Sequence, residues 1–445
     1  MEEQHYRMAW LSPFKIITLG FSGLIIAGTL LLMLPISSSA GIITPFHEAM
    51  FTAVSAVCVT GLVVQDTATY WSSFGQGIIL LLIQIGGLGF LTVDVFFALV
   101  SGRKISLMQR SAMQEALSAP SVGGVVRLTK FILKATVCFE LAGAFLLSIV
   151  FVRDFGLRGI WMGAFHSISA FCNAGFDIMG TPGGKYVSLT GYVDNPVVNI
   201  TIILLIIIGG IGFLTWDDVA TKRGEFRKYR LQSKVIIVTT AILIIFPTIF
   251  FFYVDFAGLP AKERFFSALF HAVTPRTAGF NTADITAMTG SGKAITILLM
   301  LIGGSPGSTA GGMKTTTVAL MIANAHACYR RRDNAQFFGR RIETETVRHA
   351  ATICTLYFSL FFWGAVAISV KEGLPITSCL FETASAVGTV GLSLGITQRL
   401  SIFSLSILMV LMFLGRVGGL TLIYAALSQN QKNYSRLPQE RMTVG

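Results

Sequence analysis

The chain has 445 residues, of which 53% are hydrophobic and only 13% are charged. A soluble domain carries about 25% charged residues, so this composition excludes an ordinary soluble protein and indicates a chain surrounded by lipid. The net charge of +12 lies mainly in alternate loops between apolar runs. Because cytoplasmic loops of membrane proteins collect Lys and Arg, this charge predicts a topology and does not indicate a nucleic-acid partner.

Apolar runs of about 20 residues, the length that a helix needs to cross the hydrocarbon core, recur along the chain. In chain order they are Ile16–Leu34, Gly77–Val100, Thr136–Val152, Val197–Thr215, Val235–Phe256, Ala350–Val370 and Ser401–Ala426. An eighth run, Ala294–Ala325, is interrupted by a glycine-rich stretch. The N-terminus has no cleavable signal pattern, so the first run is expected to serve as an uncleaved insertion signal. We therefore expect an all-α polytopic membrane protein with cytoplasmic N- and C-termini.

Four short segments of the chain align with one another without a gap. They are FTAVSAVCVTGL, FHSISAFCNAGF, LFHAVTPRTAGF and FETASAVGTVGL. The second-last residue of each is a glycine, and we call these four residues the filter glycines: Gly61, Gly175, Gly279 and Gly391. A second shared position follows each of them, at the landmark glycines Gly86, Gly209, Gly303 and Gly415. An apolar segment of about 10 residues cannot span the bilayer, but it can enter and return where its non-helical backbone faces protein or water.

The repeat predicts four helix–pore-helix–helix units arranged around one central ion pore. The expected units are residues 1–110 with the cytoplasmic N-terminus, 111–230, 231–345 with a broken second helix and an intramembrane loop, and 346–430. Residues 431–445 are expected to form a cytoplasmic C-terminal tail.

Such a ring can replace the water shell of a potassium ion with backbone carbonyls, and glycine permits the conformations that turn them inward. The candidate potassium-binding residues are Val59, Thr60, Gly61, Asn173, Ala174, Gly175, Thr277, Ala278, Gly279, Thr389, Val390 and Gly391. No ring of four carboxylates occupies the aligned segments, where Glu382 stands beside Thr52, His166 and Phe270. This favours a monovalent over a divalent cation, but one glycine per unit does not discriminate potassium from sodium.

These motifs resemble the superfamily of potassium transporters that includes Trk, Ktr and plant HKT proteins, over about residues 10–430. The length and the STAGGMKT stretch are most similar to the Ktr-type membrane subunit (KtrB). The resemblance implies potassium uptake across the bacterial cell membrane by a homodimer with one pore per chain. It also implies a cytosolic nucleotide-binding regulatory ring (KtrA-like) that binds ATP or ADP, and sodium dependence in several members. The basic loops suit docking to an acidic surface or to anionic membrane lipid equally well.

The glycine-rich stretch LIGGSPGSTAGGMKTTT superficially resembles a phosphate-binding loop. A phosphate-binding loop follows a strand, and its Lys comes directly after the second glycine. Here an apolar run typical of a helix precedes the stretch, and Met313 separates Gly312 from Lys314. Proline and glycine would break this helix at membrane depth, directly beneath the filter. The predicted gate loop consists of Gly303, Gly304, Ser305, Pro306, Gly307, Ser308, Thr309, Ala310, Gly311, Gly312, Met313, Lys314 and Thr315. The other three units are expected to continue as helix past their landmark glycines.

Arg416 follows the fourth landmark glycine within an apolar run. Two interpretations stay open for it: a positive barrier below the filter, which is a pore-electrostatic role, and a buried ion-pair partner without a role in transport. Asp217 with Asp218 is expected to form an interfacial polar cluster, and the role of Asp94 stays open. Glu140 and Lys134, at the expected start of a spanning helix, are predicted to be pairing or interfacial anchors.

No spacing of His, Cys or acidic residues matches a catalytic or metal-binding motif, so the chain is not expected to be an enzyme. The alternative to a potassium transporter is a less selective monovalent cation channel or transporter, for sodium or ammonium.

Overall fold

The computed structural model describes residues 13–89, 92, 105, 107–116 and 123–418. The described part of the chain is predominantly helical and forms four successive units. In each unit a first helix is followed by a short helix, a loop and a second apolar helix.

The first two units occupy the chain up to residue 228. The first contains α1 (Pro13–Leu32), α2 (Phe46–Val57), α3 (Thr67–Tyr70) and α4 (Ser73–Leu88), with a 3₁₀ turn at Pro35–Ser37. After α5 (Leu107–Ala116), the second contains α6 (Val125–Phe155), α7 (Arg158–Phe171), α8 (Pro196–Gly210) and α9 (Phe213–Lys222). Further 3₁₀ turns lie at Thr190–Tyr192 and Phe226–Lys228.

The last two units follow directly. The third contains α10 (Leu231–Tyr253), α11 (Ala261–Val273), α12 (Gly290–Leu301) and α13 (Thr315–Tyr329). A small antiparallel hairpin, β1 (Gln336–Phe337) with β2 (Arg340–Arg341), leads into the fourth unit. That unit contains α14 (Thr344–Glu372), α15 (Ile376–Gly388) and α16 (Ile402–Val417), with a 3₁₀ turn at Thr397–Arg399.

The long first helix of each unit is apolar enough to cross a membrane. Within the described residues, four helices meet this criterion alone: α1 over Lys15–Leu32, α6, α10 and α14. The second helices α4, α12 and α16 are apolar but have only 16, 12 and 16 described residues. In the second unit, α8 and α9 meet the criterion only when they are taken together, and the chain bends by 98° between them. The predicted all-α polytopic fold is therefore confirmed, with the hairpin as a small addition.

The second helices do not continue unbroken past the landmark glycines, so that expectation is wrong. In the first, second and fourth units, another glycine lies three residues after the landmark glycine: Gly89, Gly212 and Gly418. Their φ angles are 85°, 96° and 92°, and glycine enters this region without the steric cost of a Cβ. The helices α4, α8 and α16 end just before these residues. All four units therefore turn here, and the third differs in the length of its loop.

Local sequence explains where many of these helices begin. Three short helices have a proline at the N-cap, where a backbone N–H has no intrahelical partner to lose; these prolines are Pro45, Pro260 and Pro375. Three second helices have an N-cap side chain that accepts a hydrogen bond from the first turn; these caps are Ser72, Asn195 and Thr289.

The four units close a ring in chain order. Within each unit the short helix packs on the first helix, in the pairs α1–α2, α6–α7, α10–α11 and α14–α15. Between units, the second helix packs on the short helix of the next unit, in the pairs α4–α7, α8–α11, α12–α15 and α16–α2. Because the last pair joins the fourth unit to the first, the four short helices surround a single axis.

Burial follows from this arrangement. The short helices are the most enclosed elements, and Phe51, Phe165 and Phe381 within them are fully buried. The first helices instead carry exposed apolar side chains on their outer surfaces, such as Phe145, Phe246 and Trp363. Lipid is the solvent that such a surface requires.

Candidate ion pathway

The candidate filter residues share one backbone conformation in all four units. The first and third residues of each triplet have positive φ, whereas the second does not. The φ pairs are 56° and 90° (Val59, Gly61), 58° and 68° (Asn173, Gly175), 69° and 79° (Thr277, Gly279), and 52° and 94° (Thr389, Gly391). Left-handed backbone costs a non-glycine residue roughly 1–2 kcal/mol, and four equivalent examples indicate a functional constraint.

The four filter glycines lie against one another in a closed ring. A Cβ added to Gly61 would lie 3.1 Å from Gly175 Cα, and one on Gly175 would lie 2.9 Å from Gly279 Cα. The same construction gives 3.2 Å from Gly279 to Gly391 Cα and 3.0 Å from Gly391 back to Gly61 Cα. Any side chain at these positions would therefore collide with the neighbouring unit, so the ring requires glycine at all four.

The carbonyl of the middle residue of each triplet also belongs to this ring. The added Cβ atoms of the four glycines would collide with the oxygens of Ala174, Ala278, Val390 and Thr60, each in the next unit around the ring. The ring is consequently lined by main-chain oxygen and glycine Cα, without a charged side chain. This is a lining that can replace the water shell of a monovalent cation.

Hydroxyl groups hold each filter segment to the short helix before it. In the first and fourth units, Ser55 Oγ and Ser385 Oγ accept from the N–H of Gly61 and Gly391 at 3.1 and 3.0 Å. In the second and third units, Ser169 and Thr274 instead donate to the carbonyls of Phe176 and Phe280 at 2.7 and 2.6 Å. These bonds satisfy backbone groups that no helix or strand pairs.

The third unit departs from the others just before its filter residues. Its short helix α11 ends six residues before Gly279, whereas α2 and α7 end four residues before their glycines. The extra turn contains Arg276, which is only 4% exposed and donates to Thr240 Oγ1 on α10 at 3.2 Å. Sequence reasoning missed this residue, although Arg276 is the one Lys or Arg in the four aligned segments.

A second missed group is the aligned pair His166 and Glu382. Glu382 is fully buried and accepts from Ser393 Oγ and, at 3.0 Å, from Thr397 Oγ1. At the same position in the second unit, the N–H of Ile178 donates to His166 Nε2 at 3.5 Å. Both side chains therefore hold the loop that follows the filter. The aligned position was the available signal, because a polar residue occupies it in three of the four otherwise apolar segments.

A cavity of about 230 Å³ lies directly against the four filter glycines. Three carboxylates line this vestibule, Asp66, Asp177 and Asp284, and no Lys or Arg of the described residues does. Asp66 also accepts from the N–H of Tyr186 at 2.8 Å and so joins the loops of the first and second units. A concave surface with charges of one sign concentrates counter-ions, here cations.

The carboxylates of the vestibule have different electrostatic environments. Burial raises the pKa of Asp177 to about 7, and the nearby Asp66 adds to this effect. Hydrogen bonds from Thr286 lower the pKa of Asp284. Asp177 therefore changes its charge near neutral pH, while Asp284 stays ionised.

The gate loop (Gly303–Thr315) docks against the landmark glycines of two other units. Ser305 N–H donates to Gly210 O at 3.0 Å, and Thr309 N–H donates to Gly209 O at 3.2 Å. On the fourth unit, Gly312 N–H donates to Gly415 O at 3.1 Å. The loop is thus held by main-chain hydrogen bonds that cross between units.

The gate loop and the vestibule lie at opposite ends of the filter segment. A Cβ added to Gly311 would collide with Thr389 Oγ1, the first filter residue of the fourth unit. The last filter residue of that unit, Gly391, lines the vestibule instead. The structure therefore brings the predicted filter and gate residues together along one path.

Arg416 connects three units beneath the filter. From the fourth unit it donates to Thr309 O in the gate loop, to Gly86 O and, at 2.8 Å, to Gly87 O at the end of α4. Among the described residues it has no carboxylate partner within ion-pair distance. Lys314 differs, because its Nζ donates to Ala310 O at 2.8 Å within its own loop.

Other polar residues of the sequence analysis lie away from this path. Asp218 accepts from Ser233 Oγ at 2.7 Å and pairs with Lys222 at 3.2 Å, while Asp217 pairs with Arg230 at 3.0 Å. These bonds confirm the expected polar cluster. Asp94 lies outside the described residues.

The expectation for Glu140 and Lys134 is wrong in one respect. The helix that carries them, α6, begins at Val125, so both residues lie within it rather than at its start. Lysines and an arginine in its first turns lowered the hydropathy of this part of the sequence. Glu140 is only 8% exposed and accepts from Gln84 Nε2 on α4 at 3.3 Å.

Comparisons with known proteins agree with this architecture. A family model described as "TrkH: Cation transport protein" matches residues 1–437. The chain is 40% identical to the "Potassium/sodium uptake protein NtpJ" of Enterococcus hirae, over 98% of both chains. It is 37% identical to the "Ktr system potassium uptake protein B" of Bacillus subtilis, over 98% of this chain and 97% of that protein.

The fold is also similar to a solved structure, the crystal structure of the potassium transporter TrkH from Vibrio parahaemolyticus. The TM-score is 0.75 at 18% identity, and the match covers 95% of this chain and 86% of that one. At this identity the likeness bears on the fold alone, while the family match bears on the activity class. The chain belongs to the TrkH family of cation transport proteins and is a multi-pass membrane transporter, not an enzyme.

Proposed function

We propose that this chain takes up potassium across the bacterial cell membrane through its four-unit ring. The observation that carries the proposal is the closed ring of four glycines, each two residues after a residue in left-handed conformation. The names of the relatives, which include potassium uptake proteins, support potassium as the cargo.

In this mechanism a cation first enters the acidic vestibule and loses water. Carbonyl groups of the triplets ending at Gly61, Gly175, Gly279 and Gly391 then replace its hydration shell. The short helices direct their C-terminal ends toward the axis, and the partial negative charge of a helix C-terminus favours a cation there. No charged side chain is needed in the ring, which suits a monovalent ion.

The gate loop closes the path on the side away from the vestibule. Its hydrogen bonds to Gly209, Gly210 and Gly415, together with Arg416, hold it against the filter. Conduction requires these bonds to break, so the open state must be stabilised from elsewhere. We infer that a cytosolic nucleotide-binding ring (KtrA-like), which would bind ATP or ADP, provides this stabilisation.

The remaining proposals concern assembly and topology. The units extend over residues 1–110, 111–230, 231–345 and 346–430, with both termini cytoplasmic, and the chain forms a homodimer with one pore per chain. Two relatives named as proteins B and D of a Ktr system support a transporter of several components.

Growth of a potassium-uptake-deficient bacterium on low potassium tests the function. The chain, expressed with its regulatory partner, should restore growth, and Gly391→Ser should abolish it because the added side chain enters the ring. Gly77→Ser is the matched control, since a Cβ at Gly77 meets no atom within 4 Å. Failure of the expressed parent chain to restore growth would refute potassium uptake.

A second candidate, uptake of sodium or sodium-dependent (symport) potassium transport, is favoured by the name of the Enterococcus hirae relative. Flux measurements with sodium as the only cation, and with potassium in the presence and absence of sodium, distinguish these cases from a selective potassium channel. Sodium flux that equals potassium flux would favour the less selective transporter.

A further inference from the structure

An apolar groove of about 430 Å³ lies on the outer surface of the third unit, between α10 and α13. Its walls include Ile242 on α10 and Ala319, Ile322 and Ala323 on α13. Ile322 is 66% exposed and Ile242 is 48% exposed, so the groove opens away from the ring. It is separate from the ion path described above.

The groove has the length of one leaflet. Along α13 its lining extends from Val318 to Ala327, which at 1.5 Å per residue is about 13.5 Å. Half of the hydrocarbon core of a bilayer is about 15 Å thick. In the proposed topology, the N-terminus of α10 and the C-terminus of α13 are both cytoplasmic, so the groove lies in the cytoplasmic leaflet.

One end of the groove is basic and the other is apolar. At the end near the hairpin, Arg332 and His326 line it together with Asn334 and Gln336. No Asp or Glu of the described residues lines it, and no ion pair of Arg332 is found among the described residues. An occupant with an anionic head and an apolar chain satisfies both ends.

The apolar end of the groove reaches the base of the gate loop. Ile302, the residue before the loop, lines the groove, and α13 begins at the last loop residue, Thr315. The two ends of the loop are bonded to each other, since Gly303 N–H donates to Met313 O at 2.8 Å. An occupant of the groove therefore contacts the elements that carry both ends of the loop.

We propose that this groove is a binding site for an anionic phospholipid of the cytoplasmic leaflet, with an acyl chain along α13 and the phosphate at Arg332. The bound lipid braces the base of the gate loop and so changes how readily the loop moves. The binding of an anionic lipid is inferred from the groove itself, whereas its place in the cytoplasmic leaflet rests on the proposed topology and its effect on flux rests on the proposed function.

Lipid retention by the purified full chain tests the binding site. Native mass spectrometry with phosphatidylglycerol or phosphatidylcholine should show preferential retention of phosphatidylglycerol. Arg332→Gln should weaken this retention about fivefold, because one basic residue near a phosphate contributes about that factor. Arg331→Gln is the matched control, since Arg331 belongs to the same basic run but does not line the groove.

A second pair of variants tests the apolar part. Ala323→Phe fills the groove and should abolish preferential retention, whereas Ala325→Phe, on the same helix but outside the groove, should not. Equal retention of both lipids, or equal effects of the two arginine variants, would overturn the proposal. A change of oligomeric state with Ala323→Phe alone would also overturn it, because a second copy would then cover the groove.

Potassium flux in proteoliposomes tests the effect on the gate. Parent flux should differ between vesicles with and without phosphatidylglycerol, and this difference should disappear in Ala323→Phe but persist in Ala325→Phe. A lipid-independent flux with retention intact would refute the bracing role. Absent flux in every lipid would instead contradict the proposed function and leave the retention result standing.

Discussion

Replacement of Arg416 tests whether this side chain holds the gate loop closed. Arg416→Gln removes the charge and leaves at most one of the three hydrogen bonds to Thr309, Gly86 and Gly87. A hydrogen bond from a charged donor contributes about 1.5–3 kcal/mol. If the bonds exist only in the closed state, losing two of them shifts the equilibrium by about 3 kcal/mol or more, roughly a 150-fold change in the closed-to-open ratio.

The assay is rubidium uptake into proteoliposomes in the absence of any cytosolic partner. Arg416→Gln should raise uptake strongly, and Arg416→Lys should give an intermediate value, because an ammonium cannot reach carbonyls of both neighbouring units in the way a planar guanidinium does. A simple positive barrier predicts instead that Arg416→Lys behaves like the parent.

Lys314→Gln is the matched control for the loss of a charge. Lys314 bonds only within the gate loop, so its removal breaks no bond between units and should raise uptake much less. Unchanged uptake in Arg416→Gln would refute the closing role, and equal increases in both variants would assign the effect to charge alone.

Three further predictions concern the vestibule, the loop after the filter and the contacts between helices. With a pKa of about 7, the charged fraction of Asp177 falls from about 90% at pH 8 to about 10% at pH 6. Potassium uptake at subsaturating concentration should fall as this charged fraction falls, whereas uptake by Asp177→Asn should be low and independent of pH. Identical pH profiles of the parent and the variant would contradict a role for the Asp177 charge. Glu382→Ala should lower the free energy of unfolding by about 2–4 kcal/mol, because it leaves two hydroxyl groups unpaired, and Glu382→Gln should lower it less. Equal thermal unfolding midpoints of the parent and both variants would contradict the role of Glu382 in holding the loop after the filter. Gly86→Ala should lower the unfolding midpoint, because its Cβ collides with the main chain of α2. Gly77→Ala should leave the midpoint unchanged, because a Cβ there meets open space. A lower midpoint for Gly77→Ala than for Gly86→Ala would contradict this packing.

The sequence predicted the repeat and the fold because these depend on features that repetition makes visible. Each filter glycine follows a short apolar segment, and four copies in register are hard to produce by packing alone. Their spacing placed Gly61, Gly175, Gly279 and Gly391 at equivalent positions, and the structure gives them equivalent backbone angles. The gate loop was visible for the same reason, since only the third copy departs from the pattern.

Other features depend on tertiary contacts that no pattern in one chain reveals. A single glycine inside an apolar run is compatible with a continuous helix, so the breaks at Gly89, Gly212 and Gly418 were missed. The start of α6 was placed too late because hydropathy falls where Lys130 and Lys134 face outward from a helix that continues. The role of Glu382 depends on two hydroxyl groups more than ten residues away, at a distance that sequence spacing does not predict.

The closed ring has a consequence for how such a protein can specialise. A pore built from four identical chains would carry four gate loops and four arginines, and four loops docked beneath one axis would occupy the same space. Because the four copies here are joined in one polypeptide, each can diverge while the ring glycines stay equivalent. The third copy supplies the gate loop, the fourth supplies Arg416, and the first and second supply carbonyls to which these parts are hydrogen-bonded. Because the four units are covalently joined, different units can supply different parts beneath a site that keeps its fourfold symmetry.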